Sequence, residues 1–125
     1  MKLKIYIIAT LLLSSVLWGC RKDDLPVKPQ PSPFSASIKA GTATLPAAGG
    51  TSSILITAGA DGWWIVVPDD KKAWCSITRV YGSGDLEVPV SIKANTTGLP
   101  RTVEVAVNPT FNLPAVKLVF NQAGQ

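Results

Sequence analysis

The chain has 125 residues and no histidine, with twelve lysines and arginines against eight aspartates and glutamates for a formal charge of +4. That length fits a single domain, and the missing histidine excludes Ser-His-Asp and Cys-His nucleophile activation together with the commonest general base. No basic cluster exceeds the pair Lys71-Lys72, which excludes a phosphate-tracking groove and leaves nucleic acid off the list of expected partners.

Taken in chain order, Lys2 and Lys4 precede an almost wholly apolar run over residues 5–17. A positive start, an apolar stretch of this length and small residues at its end make an export signal. A membrane-spanning helix would need about 20 apolar residues. Leu17-Trp18-Gly19-Cys20 resembles the lipobox of bacterial lipoprotein signals. The resemblance implies cleavage after residue 19 and diacylglycerol on the Cys20 thiol, so that Cys20 moors the chain to a lipid bilayer; two or more acyl chains hold stably where one does not. The alternative is an ordinary secretory signal in which Cys20 is incidental. Arg21-Lys22-Asp23-Asp24 is similar to the lysine-then-acids signal of surface-exposed Bacteroidetes lipoproteins, which implies the outer face of the outer membrane; the alternative is a solvated charge cluster. Loss of residues 1–19 would leave ten lysines and arginines against eight acids, a charge of +2, so half of the basic balance belongs to the signal.

Residues 20–35 hold Pro26, Pro29, Pro31 and Pro33. Proline blocks helix and ladder pairing, so this segment is expected to be an extended spacer, or a disordered arm serving the same end. Residues 36–125 form the expected domain. Short strand candidates at residues 35–38 and 42–45 precede the turn Pro46-Ala47-Ala48-Gly49-Gly50. Residues 52–58, 63–67 and 74–80 read as further strands, with Tyr81-Gly82-Ser83-Gly84-Asp85 as a turn. Val88, Val90, Ile92 and Ala94 then share one face, as do Val103, Val105 and Val107, and Val116, Leu118 and Phe120. Seven or eight short strands with a turn about every ten residues and no helical stripe predict an all-β, immunoglobulin-like antiparallel β-sandwich. With Cys20 committed to lipid, Cys75 has no partner thiol, and the domain must stand on its apolar core.

Gly49-Gly50, Ile54 and Ile56, Trp63-Trp64-Ile65-Val66, Trp74-Cys75-Ser76-Ile77, Gly82-Ser83-Gly84, Asn95-Thr96-Thr97-Gly98 with Arg101, and Phe120-Asn121-Gln122-Ala123-Gly124 occur in that order. This ordered set resembles the BACON domain, a Bacteroidetes-associated module often found in carbohydrate-active enzymes. The likeness runs from about residue 40 to the C-terminus, and it implies an immunoglobulin-like sandwich with a link to glycan handling. The sequence departs from the family at Cys75, where an aliphatic residue is usual, and either Trp63 or Trp64 can take the place of the family's first tryptophan.

The expected chemistry is contact without catalysis or cofactor. Gly82-Ser83-Gly84 lies in turn-like sequence and is no nucleophile elbow, and a glycosidase would need two carboxylates about 5–10 Å apart across a sugar-sized cleft. Asp61, Asp69, Asp70 and Asp85 are oxygen ligands that calcium accepts, but they lack EF-hand spacing, so no metal is expected. Cys75 reads as a buried core thiol, the alternative being a reactive one. Trp63 and Trp64 are adjacent, so in a strand they face opposite ways, one toward the core and one outward. The candidate carbohydrate surface is therefore Trp63 or Trp64 with Trp74 and Tyr81 for stacking, and Asp61, Asp69 or Asn95 for hydrogen bonding. The competing expectation is a spacer or protein-interaction module with no sugar affinity, its tryptophans all spent on packing. A glycan or a surface protein is the expected partner.

Overall fold

The computed structural model describes residues 26–125; the expected signal, Cys20 and the charged residues after it lie outside the described residues. The chain divides into two units, Met1–Gln30 and Pro31–Gln125. In the first, residues 26–30 are exposed and free of regular secondary structure. The second begins earlier than the expected domain, because Phe34 packs on its core and the Ser32 amide donates to an Asp61 carboxylate oxygen at 2.5 Å.

This body is all β apart from a 3-10 turn at Asp69–Lys71. Its strands are β1 (Ser35–Ile38), β2 (Thr44–Leu45), β3 (Gly50–Thr57), β4 (Gly62–Val66), β5 (Cys75–Ser76), β6 (Tyr81–Ser83), β7 (Leu86–Ile92), β8 (Arg101–Pro109) and β9 (Val116–Gln122). They form a four-stranded sheet in the order β1-β3-β7-β5 and a five-stranded sheet in the order β2-β9-β8-β4-β6. Every pairing is antiparallel except β2 with β9. The orders β1-β3-β7-β5 and β9-β8-β4 reproduce the two sheets of an immunoglobulin-type sandwich.

The period-two pattern sets the faces. Ile54 and Ile56 of β3, Trp63 and Ile65 of β4, Val88, Val90 and Ile92 of β7, Val103, Val105 and Val107 of β8, and Leu118 and Phe120 of β9 are all buried between the sheets. Full burial of such a side chain contributes about 1.5–3 kcal/mol, and this shared layer is what holds the two sheets together. The alternation expected through Ala94 stops one residue early: Ala94 is exposed and Asn95 turns in.

The expected strand over residues 74–80 breaks in two, and Pro89 is the reason. The Lys93 amide donates to the Trp74 carbonyl at 2.8 Å, and Ser91 stands opposite Ser76. Odd-numbered amides of β7 therefore point at β5, and the next one would come from position 89, opposite Thr78. Proline has no N–H to offer there. The ladder ends after Ser76, and the chain crosses to the other sheet, where the Ile65 amide donates to the Val80 carbonyl at 2.7 Å and Tyr81–Ser83 pairs with β4. The expected turn at residues 81–85 is thus corrected: its first three residues are strand β6.

Candidate functional site: an exposed aromatic pair

Strand β4 settles which tryptophan does what. Trp63 faces the core at 1 % exposure, its indole Nε1–H donating to the Gly84 carbonyl at 3.0 Å. Strand β6 crosses directly over that ring, and a Cβ at Gly82 would stand 2.7 Å from a Trp63 ring carbon, so only glycine fits. Trp64 faces outward at 43 % exposure, directly opposite Tyr81 of β6, which is 75 % exposed. Because the Ile65 amide donates to the Val80 carbonyl, Trp64 and Tyr81 form the adjacent non-hydrogen-bonded pair. In that geometry the Cα atoms approach to about 4.5 Å and the side chains are closest. The same row continues to Asn108 of β8, opposite Trp64 on its other side, and Val66 stands beside it opposite Ala106. The outer face of the five-stranded sheet therefore carries two neighbouring aromatic rings with an amide at one flank.

The other expected contributors are elsewhere. Trp74 precedes β5 in the four-stranded sheet, and the Arg101 guanidinium sits 4.2 Å from its ring centroid. Arg101 is itself fixed by the carbonyls of Lys93 and Ala94 and by the Gln122 amide oxygen. One face of Trp74 is therefore occupied. Burial removes both Trp63 and Asn95 from the candidate surface. Asn95 is fully buried, donating to the carbonyls of Leu99 and Ala123 and accepting from the Thr97 amide and hydroxyl. Its side chain closes the body and has nothing left for a ligand. Asp61 receives the Ser32 amide in the turn before β4, and Asp69 pairs with Lys72 at 2.5 Å in the 3-10 turn after it. The Lys72 ammonium holds the Asp69 carboxyl below its ordinary range, chiefly through that hydrogen bond.

Cys75 is buried, and desolvation pushes its thiol pKa up, which disfavours the reactive thiolate. It lines an apolar hollow of about 410 Å³ with Ile65, Val67, Ile77 and Val80, left where the chain quits the four-stranded sheet. A second hollow of about 300 Å³ lies beside it, lined by Thr78, Arg79, Val80 and Tyr81. Among the described residues no group of three or more acids and cysteines is placed to hold a metal ion. No helix there is long and apolar enough to cross a membrane.

Sequence reasoning missed Asn108 and Arg79. The alternation of β8 already turns Asn108 outward with Thr102 and Glu104, but only the sheet order reveals that β4 is its neighbour. Arg79 is two residues from Tyr81, a same-face spacing that reading the following stretch as a turn concealed.

No family model and no curated protein matches the chain. Among solved structures, it is similar to a GH5 xyloglucanase of Bacteroides ovatus in complex with a XXXG heptasaccharide, at 25% identity and a TM-score of 0.59 over 73% of this chain. A protein from Bacteroides thetaiotaomicron shares the fold at 18% identity and a TM-score of 0.52, covering 75% of this chain and 89% of that one. The chain spans 19% of the length of the xyloglucanase, and what it shares with these two Bacteroides proteins is the β-sandwich body.

Proposed function

We propose that this chain is a surface-anchored lipoprotein whose BACON-like domain binds carbohydrate without transforming it. The observation that carries the binding half is the exposed cross-strand pair Trp64–Tyr81 on the outer face of the five-stranded sheet. Flat exposed rings suit the apolar face of a pyranose, and exposed large apolar groups mark interaction surfaces. The likeness to part of a Bacteroides xyloglucanase supports plant glycans as the first probes. The ordered motifs from Gly49 to Gly124 and the lipobox-like Cys20 support the family and the anchor. No catalytic role is proposed: histidine, the commonest general base, does not occur in the chain, and each described carboxylate already holds an amide or a lysine.

The test is affinity electrophoresis of the full-length protein in detergent against xyloglucan and mucin glycans. Retardation is expected and should be lost in Trp64→Ala/Tyr81→Ala, whose melting temperature should stay close to that of the parent because both side chains are largely outside the core. Unretarded parent protein would instead mark a spacer or protein-interaction module. For the anchor, Cys20→Ala should abolish lipid labelling and release the chain from membranes, and protease added to intact cells should digest the parent.

A further inference from the structure

The charged groups around the aromatic pair narrow the ligand class. Each carboxylate among the described residues is already engaged. Asp61 and Asp85 accept backbone amides, and Asp69, Asp70, Glu87 and Glu104 pair with lysines. Arg79 is exposed and forms no ion pair with any of them. It lines the roughly 300 Å³ hollow together with Thr78, Val80 and Tyr81. Tyr81 stands opposite Trp64 and the Val80 carbonyl accepts from the Ile65 amide, so the chain runs alongside β4 from Val80 onward, and Arg79 enters it two residues before Tyr81 at the rim of that shared hollow. The result is a stacking platform with a guanidinium at one end that pairs with no carboxylate among the described residues. A guanidinium presents a rigid fork that matches a carboxylate through two parallel hydrogen bonds.

We propose that Trp64, Tyr81 and Arg79 together form a subsite for a carboxylated sugar, a uronate residue within a glycan. The pyranose ring lies on the Trp64–Tyr81 platform while its carboxylate meets Arg79. This rests on the carbohydrate-binding reading above and narrows it from glycans in general to acidic ones. A neutral sugar fits the platform but leaves the guanidinium unmatched.

Full-length protein in detergent is titrated calorimetrically with a glucuronate-containing oligosaccharide and with the same oligosaccharide after reduction of its carboxyl groups. The acidic form should bind about tenfold more tightly, as expected for one charge-assisted contact, and added salt should shrink that margin. Arg79→Gln should bring the two forms to the same affinity, Arg79→Lys should keep part of the preference, and Lys93→Gln, which removes an equal charge away from the platform, should keep all of it. Equal binding of both forms by the parent would overturn the acidic assignment and leave carbohydrate binding standing. No binding of either form, of xyloglucan or of mucin glycans would overturn both. Binding of oligoglutamate that depends on Arg79, with no binding of the uronate, would likewise overturn the assignment in favour of an acidic protein partner.

Discussion

Asn95 and Gln122 are the two polar side chains on which the closed end of the body depends. Gln122 is buried; its amide nitrogen serves the carbonyls of Pro46, Ala47 and Lys93, while its oxygen accepts from Arg101. Asn95 ties residue 99 to residue 123 in the same way. Such groups contribute modestly when satisfied and cost much when a partner is stranded. Asn95→Ala should therefore destabilise the protein by about 1–3 kcal/mol, measured by urea denaturation with an unchanged m-value. Trp63 and Trp64 show how far one position matters at this scale: they differ only in which side of β4 they occupy, and that alone makes one a core residue and the other a candidate ligand surface.

Among the elements, β5 and β6 owe their existence to a proline in a third strand. Residues 74–80 have the composition of one continuous strand, and the missing amide at Pro89 stops it after two residues. The crossover that follows places Tyr81 beside Trp64 and opens both hollows. Pro89→Thr restores the donor, and β5 should then lengthen to Thr78, seen as new cross-strand NOEs between residues 78 and 89. The same change should pull Val80 away from Ile65 and weaken the aromatic pairing. An unaltered NOE pattern would mean that something other than the missing donor ends β5.

Across the whole molecule, surface electrostatics add a small dependence on pH. The Lys72 hydrogen bond lowers the Asp69 pKa from its ordinary 3.8, and the Lys39 hydrogen bond, with help from Ser53, lowers that of Glu87 from 4.5. A carboxyl with a depressed folded-state pKa binds more protons when unfolded, so its contribution is present above the ordinary value and lost as pH falls through the lowered one. Melting temperatures should thus hold down to about pH 5 and drop gently below pH 4. High salt should flatten that drop, because both pairs are solvent-exposed. A steep loss already at pH 6 would point to a buried group that these surface pairs do not explain.

The alternation of Val88, Val90 and Ile92, of Val103, Val105 and Val107, and of Leu118 and Phe120 sufficed to determine an all-β sandwich and its inward faces, because side-chain direction in a strand follows from parity alone. The same parity requires that Trp63 and Trp64 part company. Which of them turns inward, and that Tyr81 rather than Trp74 is the companion ring, depended on tertiary structure. Those outcomes follow from strand order and register, which couple residues far apart in the chain: Pro89 ends β5, β6 lands on β4, and Arg101 takes the face of Trp74. Local sequence does not carry such couplings, because each is settled by hydrogen-bond partners supplied from another strand.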